Sequence, residues 1–206
     1  QLMKPRVMSL VIFTCVIGLL IAPGEVNFLN STISLIAVAL GAGAAGTLNM
    51  WYESDLDALM KRTCLRPIPT GKVTKKQALI FGLLTSVISV LALYFFANLI
   101  SATLLAITIL FYVVVYTIWL KQKTSQNIVI GGAAGAFPPI IGWTIATDNI
   151  TLEPILLFLI IFFWTPSHFW ALSLYKKEDY KNAKIPMLPV TAGIKTTKIN
   201  IFIYSL

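Results

Sequence analysis

Charge is what this chain has least of. Only 12% of its 206 residues are charged, against about 25% in an ordinary soluble domain. So little charge cannot cover a water-soluble globule. Cysteine is nearly absent: Cys15 lies in an apolar run and Cys64 in a basic loop. That separation argues against a disulfide framework, and no cysteine spacing suits a metal. Acids number only eight and histidine only one, so each of them can be weighed singly.

Long apolar runs are what the chain has in plenty. Hydrophobic residues make up 57% of it, and its mean hydropathy is +0.83. Six runs are long enough to cross a bilayer, at residues 7–23, 33–52, 78–97, 102–120, 127–146 and 154–175, and the start of a seventh follows at 199–206. The basic start before residue 7 resembles a signal peptide, but the later spans and the lack of a convincing cleavage site predict a retained helix. The expected fold is an all-α polytopic transmembrane bundle, with residues 1–206 forming a single domain. The chain opens on Gln and stops inside an apolar run, so we expect it to be incomplete at both ends.

All sixteen Lys and Arg fall before the first span, between the second and third, between the fourth and fifth, or after the sixth. The other links contain none. Positive charge collects on the cytoplasmic side or its equivalent, which places those segments in one compartment. Glu53, Asp55, Asp57, Glu178 and Asp179 share that side. The two polar clusters could therefore meet across the bundle.

The stretch 49–69, NMWYESDLDALMKRTCLRPIP, holds three of the eight acids within five residues. Asn49, Glu53 and Asp57 are spaced i, i+4, i+8, and each such step turns the side chain by only about 40° on a helix. The three form one oxygen-bearing stripe, whereas Asp55 points to the opposite face. We expect the helix to run on to about Arg62. Mg²⁺ takes oxygen ligands, often one or two carboxylates plus substrate phosphate oxygens. Arg62 and Arg66, also i, i+4, could grip phosphate, with Lys61 beside them. The pattern predicts a diphosphate–Mg²⁺ site at a membrane edge. It equally describes a charged helix end among lipid headgroups, laced by ion pairs.

Elsewhere in the spans the signals are weaker. Gly41, Gly43, Ala44, Ala45 and Gly46 suit close helix packing and also leave room for a flat or long ligand. In GGAAGAFPPIIGW, Pro138 and Pro139 kink the fifth span, either as a structural bend or as the wall of a cavity. Tyr112, Tyr116 and Trp119 fit an interfacial aromatic belt. His168 lies about 10 Å inside the positive end of span six by helical rise. It is open to three readings: a haem-iron ligand, an acid–base group, or a neutral histidine hydrogen-bonded within the bundle.

With these motifs in hand, the chain resembles the UbiA-type intramembrane prenyltransferases. NMWYESDLDALMKRTCLRPIPTG is similar to that family's first aspartate-rich motif, Asn-x-x-x-Asp-x-x-x-Asp, with Glu53 where Asp is commoner. The second motif, Asp-x-x-x-Asp, is matched at Asp179, but Ala183 stands in the second acid's place. That departure, with LMKPRV, GGAAGAFPPIIGW and TPSHFWALSLYKKEDY, resembles the branch that farnesylates protohaem. The resemblance implies nine transmembrane helices, so the last two and most of the seventh would lie outside this chain. It implies farnesyl transfer from farnesyl diphosphate to a vinyl group of protohaem IX, with water, giving haem O. It also implies Mg²⁺ on Asn49, Glu53, Asp57 and Asp179, with Arg62, Arg66, Lys61 and Lys177 neutralising the diphosphate. Trp51, Tyr52, Trp164 and Trp170 are candidate π-faces for the farnesyl cation, and His168 is a candidate substrate contact. The implied setting is a bacterial or mitochondrial inner membrane, with the site facing cytoplasm or matrix. Haem A synthase or a terminal-oxidase assembly pathway is a possible partner, and nucleic acid is not. Two alternatives stay open: a prenyltransferase acting on a quinone precursor or chlorin, and a cation-coupled transporter, whose ionisable groups would sit near the midplane.

Overall fold

The computed structural model describes residues 1–24 and 26–206; Glu25, in the link between the first two spans, lies outside the described residues. Among the described residues the chain is helical, with no strands. In order it forms α1 (Pro5–Ile21), α2 (Phe28–Tyr52), α3 (Ser54–Leu59), α4 (Lys75–Phe96) and α5 (Leu99–Leu110), which continues as a π-helical segment (Phe111–Leu120). Then come α6 (Asn127–Ala136), α7 (Pro138–Thr147), α8 (Leu152–Tyr175), α9 (Lys177–Asn182), α10 (Leu188–Thr191) and α11 (Gly193–Ser205). Five apolar rods are long enough to cross a membrane: α2, α4, α5 with its π segment, α6 with α7, and α8. The sixth, α1, has 17 residues, the lower end of what a bilayer requires. The seventh run is helical too, as α11.

Local chemistry sets several ends. Pro5 occupies the first turn of α1, where a missing N–H costs nothing. The side chains of Asn27 and Asn98 accept from the backbone N–H groups of Asn30 (3.0 Å) and Ser101 (2.8 Å). Thr74 and Gln77 cap α4 reciprocally. The Pro138–Pro139 pair breaks the fifth span at Phe137 and separates α6 from α7.

Small residues decide which rods touch. A Cβ on Gly18 would collide with the Pro139 carbonyl, and one on Gly142 with the Cys15 carbonyl, so α1 and α7 lie backbone to backbone. Gly82 faces Leu48, and Gly41 faces Ser89 and Leu105, which draws α2 against α4 and α5. The core gathers Ala37, Val38, Ala45, Leu48, Leu93, Leu105 and Ile141. Outward faces stay apolar, as at Leu83, Leu84, Val87 and Ile88 of α4, which suits lipid.

The basic segments collect at one end. Lys4, the segment 49–66 and Lys121 are tied together by hydrogen bonds, and residues 61–62 share a cleft with 174–179. At the other end, Asn98 and Ser101 bond Thr144 at 2.6 and 2.8 Å. The sidedness expected from charge is the geometry of the bundle.

Candidate active site

Asn49 lies in the last turn of α2, Glu53 caps it, and Asp57 lies in α3. The helix is interrupted at Glu53, yet the register survives. Glu53 N–H donates to the Asn49 carbonyl at 3.0 Å, and Asp57 N–H donates to the Glu53 carbonyl at 2.8 Å. The three side chains stay on one face and are buried, at 2%, 2% and 3% exposure. Asp55 points the other way: its side chain is 87% exposed and meets Lys75 at 2.9 Å. The stripe is thus as its spacing predicted. The helix does not reach Arg62, however. Met60 turns extended, and residues 61–73 run as turns before α4. Arg62 and Arg66 therefore do not share a helical face.

Each member of the stripe has a cation. Lys4 donates to Asn49 Oδ1 at 2.5 Å, and Lys121 meets Glu53 Oε2 at 2.5 Å. Arg66 Nη1 donates to both Asp57 oxygens at 2.8 and 2.7 Å. Asn49 also donates to Thr117 Oγ1 at 3.1 Å, and Thr63 bonds the Asp57 carbonyl at 2.9 Å. Buried ion pairs add little net stability, because desolvation offsets the attraction. Their effect here is to hold position. Burial, with Arg66 and Lys121 nearby, pushes the Lys4 ammonium down to about 7.

The π-helical segment delivers part of this set. Its i→i+5 bonding, as from Lys121 N–H to Tyr116 O at 2.9 Å, is rare in helices and frequent at functional sites. Thr117 and Lys121 point from it into the stripe. Tyr112 and Tyr116 pack ring to ring at 5.4 Å, with Lys121 5.9 Å from the Tyr116 centroid. Gly131 makes room for Tyr116, since a Cβ there would collide with the ring.

Next to the stripe lies an apolar hollow of about 110 Å³. Lys4 and Tyr112 line it, with Ala42, Ala45 and Gly46 of α2, Gly135 of α6 and Pro138 of α7. The small-residue face of α2 and the proline break thus do line a cavity.

The second polar cluster forms a separate, open cleft of about 530 Å³. Lys61, Arg62, Leu174, Tyr175, Lys176, Lys177, Glu178 and Asp179 line it. This brings Lys61 and Arg62 to Lys177 and Asp179. Asn49, Glu53, Asp57 and Arg66 are not among its walls. Among the described residues, no three His, Cys, Asp or Glu side chains come together closely enough to share a metal ion. Of the quartet Asn49, Glu53, Asp57 and Asp179, it is Asp179 that lines this cleft, while the other three are buried. Met60 shares a buried cluster with Ala183 and Ile185, and Leu56 and Tyr180 pack against that cluster, which joins the two parts. Ala183 is 4% exposed among Met60, Ile128, Ile185 and Met187. An aspartate there would bury a charge in apolar surroundings.

Oxygen donors alone make up the inner stripe, which suits Mg²⁺. Glu53 Oε1 is buried without a hydrogen-bond partner, so one donor is free for a ligand. These residues fit the ion.

The aromatic candidates lie elsewhere. Trp164 and His168 stack at 4.6 Å on an exposed face of α8, and Trp170 is buried on another face against Tyr204. Tyr52 is half-exposed beside Trp51, and Trp51 packs on the Met50–Ile68–Ala78 cluster. None of them lines the hollow; its aromatic wall is Tyr112. His168 is not hydrogen-bonded inside the bundle, because its side chain is on the exposed face. Sequence reasoning missed Lys4, Lys121, Thr117, Tyr112 and Tyr116 as site residues. A lysine at a span end and a tyrosine one turn inside it have the same pattern as ordinary membrane-edge anchors.

Residues 11–206 match the model of the UbiA prenyltransferase family. The chain is similar to a protoheme IX farnesyltransferase of Pelagibacter ubique, at 73% identity over all of this chain and 68% of that protein. A protoheme IX farnesyltransferase of Rhodopseudomonas palustris (strain BisB18) is 58% identical over 100% of this chain and 66% of its own length. The fold is that of a UbiA homolog from Archaeoglobus fulgidus solved with GPP and Mg²⁺, with a TM-score of 0.82 at 16% identity over 99% of this chain and 72% of that one. An apo UbiA homolog from Aeropyrum pernix K1 gives 0.75 over 97% and 74% of the two chains. The chain belongs to the UbiA prenyltransferase family. It spans about two thirds of the length of the curated relatives it matches.

Proposed function

We propose that the chain is the greater part of an enzyme that moves a farnesyl group from farnesyl diphosphate to a vinyl group of protohaem IX. Water is added, and haem O and diphosphate are the products. The similarity to protoheme IX farnesyltransferases supports this reading. The structural observation that carries it is the buried Asn49–Glu53–Asp57 stripe, joined through Lys4 to an apolar hollow.

Asn49, Glu53 and Asp57 would hold Mg²⁺, with Asp179 completing the set from the cleft. When bound, the ion supplies positive charge against the diphosphate. The chain's own residues do the rest. Arg66 and Lys121 hold the carboxylates in place and add charge where the leaving group forms. Such preorganised electrostatics is usually the largest catalytic contribution. The small-residue wall of α2 takes the start of the apolar tail and excludes water from it. Tyr112 presents a π-face at the same hollow, where an allylic cation would be stabilised. Lys61, Arg62 and Lys177 gather anionic substrate groups at the rim. His168 and Trp164, stacked on the outside of α8, would contact haem from that face.

The setting would be a bacterial inner membrane or its mitochondrial counterpart, with the site on the cytoplasmic or matrix side. The product would pass to haem A synthase or to oxidase assembly. To test this, membranes containing the full-length protein are incubated with farnesyl diphosphate and protohaem, and haem O is sought by mass. Prenylation of 4-hydroxybenzoate in place of protohaem would move the assignment to the quinone-precursor alternative.

A further inference from the structure

Lys4 stands where the two parts of the site join. It is the residue that both lines the apolar hollow and bonds the oxygen stripe. Its stem lies over Gly46, where an added Cβ would sit 3.4 Å from Lys4 Cδ. Its amine reaches Asn49 Oδ1, an uncharged acceptor. The two inner carboxylates are already taken, Glu53 by Lys121 and Asp57 by Arg66. Three basic side chains thus face two acids, and among the described residues Lys4 is the one without an acid of its own. Its backbone is left-handed at φ 51° immediately before Pro5, a conformation unfavourable to a non-glycine residue. The chain holds that strain while the amine points inward.

We propose that Lys4 is a substrate-contacting cation for the prenyl diphosphate: its ammonium donates to the oxygen that joins C1 of the tail to phosphorus. This rests on the prenyl-donor reading above. A tail lying in the hollow and a diphosphate against the stripe put that C1–O bond beside Lys4. As the bond breaks, its electron pair leaves with the oxygen, and the N–H contact strengthens while the cation forms on C1. Asn49 Oδ1 is released for other partners.

The test uses the full-length enzyme in detergent. Its binding to farnesyl diphosphate, which carries the bridging oxygen and is not turned over without the ion, and to farnesol is measured without Mg²⁺, and turnover is measured with it. Lys4→Met keeps the stem over Gly46 and removes the charge. It should weaken binding of farnesyl diphosphate by about tenfold or more, the scale of a charged hydrogen bond, and leave farnesol binding unchanged. Turnover should fall by a larger factor than binding, since the contact grows as charge develops. Lys4→Arg should recover most of the binding. Should Lys4→Met fail to fold, Lys4→Gln serves in its place. Equal farnesyl diphosphate binding by the variant and the unaltered enzyme would overturn the role of Lys4 alone. Loss of farnesol binding in parallel would make Lys4 a packing residue and overturn the role as well. Absence of farnesyl diphosphate binding by the unaltered enzyme, with Mg²⁺ as well as without it, would sink the prenyl-donor reading with it.

Discussion

Asp57 and Asp179 each follow a membrane span and each sit among lysines and arginines, yet their surroundings differ. Asp57 is 3% exposed, with Arg66 on both oxygens. Asp179 lines an open cleft beside Lys61, Arg62 and Lys177. In the first region each charge has a fixed partner at short range and low dielectric, where its effect on a reacting bond is strongest. In the second, water and salt screen the same residue types, and their use is attraction and orientation. The composition of a polar cluster thus says little about its role. Depth decides it.

Four sets of substitutions would sharpen or break this contrast. Asp57→Ala should lower turnover by about a thousandfold, the scale of losing a preorganised electrostatic contact. Near-normal haem O formation by correctly inserted protein would remove the inner stripe from the chemistry. Lys121→Met leaves Glu53 buried without its counter-charge and should destabilise the protein by about 3 kcal/mol, read from denaturation in detergent. Adding Glu53→Gln should restore most of that stability, though not turnover. Arg62→Ala with Lys177→Ala should raise KM by about three- to tenfold at low salt, with the difference shrinking as salt rises. A fall in kcat that salt does not touch would make the cleft part of the reacting centre. Asp55→Ala should change turnover by less than about twofold, since an exposed pair contributes little. A loss equal to that of Asp57→Ala would show that the faces of the stripe are not distinct.

Much of this was legible beforehand because the signals were periodic or compositional. Apolar runs announced the helices, and the spacing of Asn49, Glu53 and Asp57 announced their common face even across the interruption at Glu53. Charge placement announced which ends meet. The end of α3 was not legible, because the turns over 61–73 depend on how the segment folds back onto Asp57 and α4. Nor was the different setting of Asp57, which is buried, and Asp179, which lines the open cleft. The placement of the aromatic residues was not legible for a related reason. Tryptophans near polar motifs looked suited to a cation, but helix rotation turned Trp164 outward and Trp170 toward α11.

The sequence by itself determined a membrane-embedded helical bundle, its basic end and the oxygen stripe, since hydropathy, charge sidedness and helical period are local properties of a chain. Only the tertiary structure decided which cations face that stripe. Lys4, Arg66 and Lys121 come from three separate segments, and their meeting depends on glycine-sized contacts between helices and on a π-helical turn. No local pattern records such contacts.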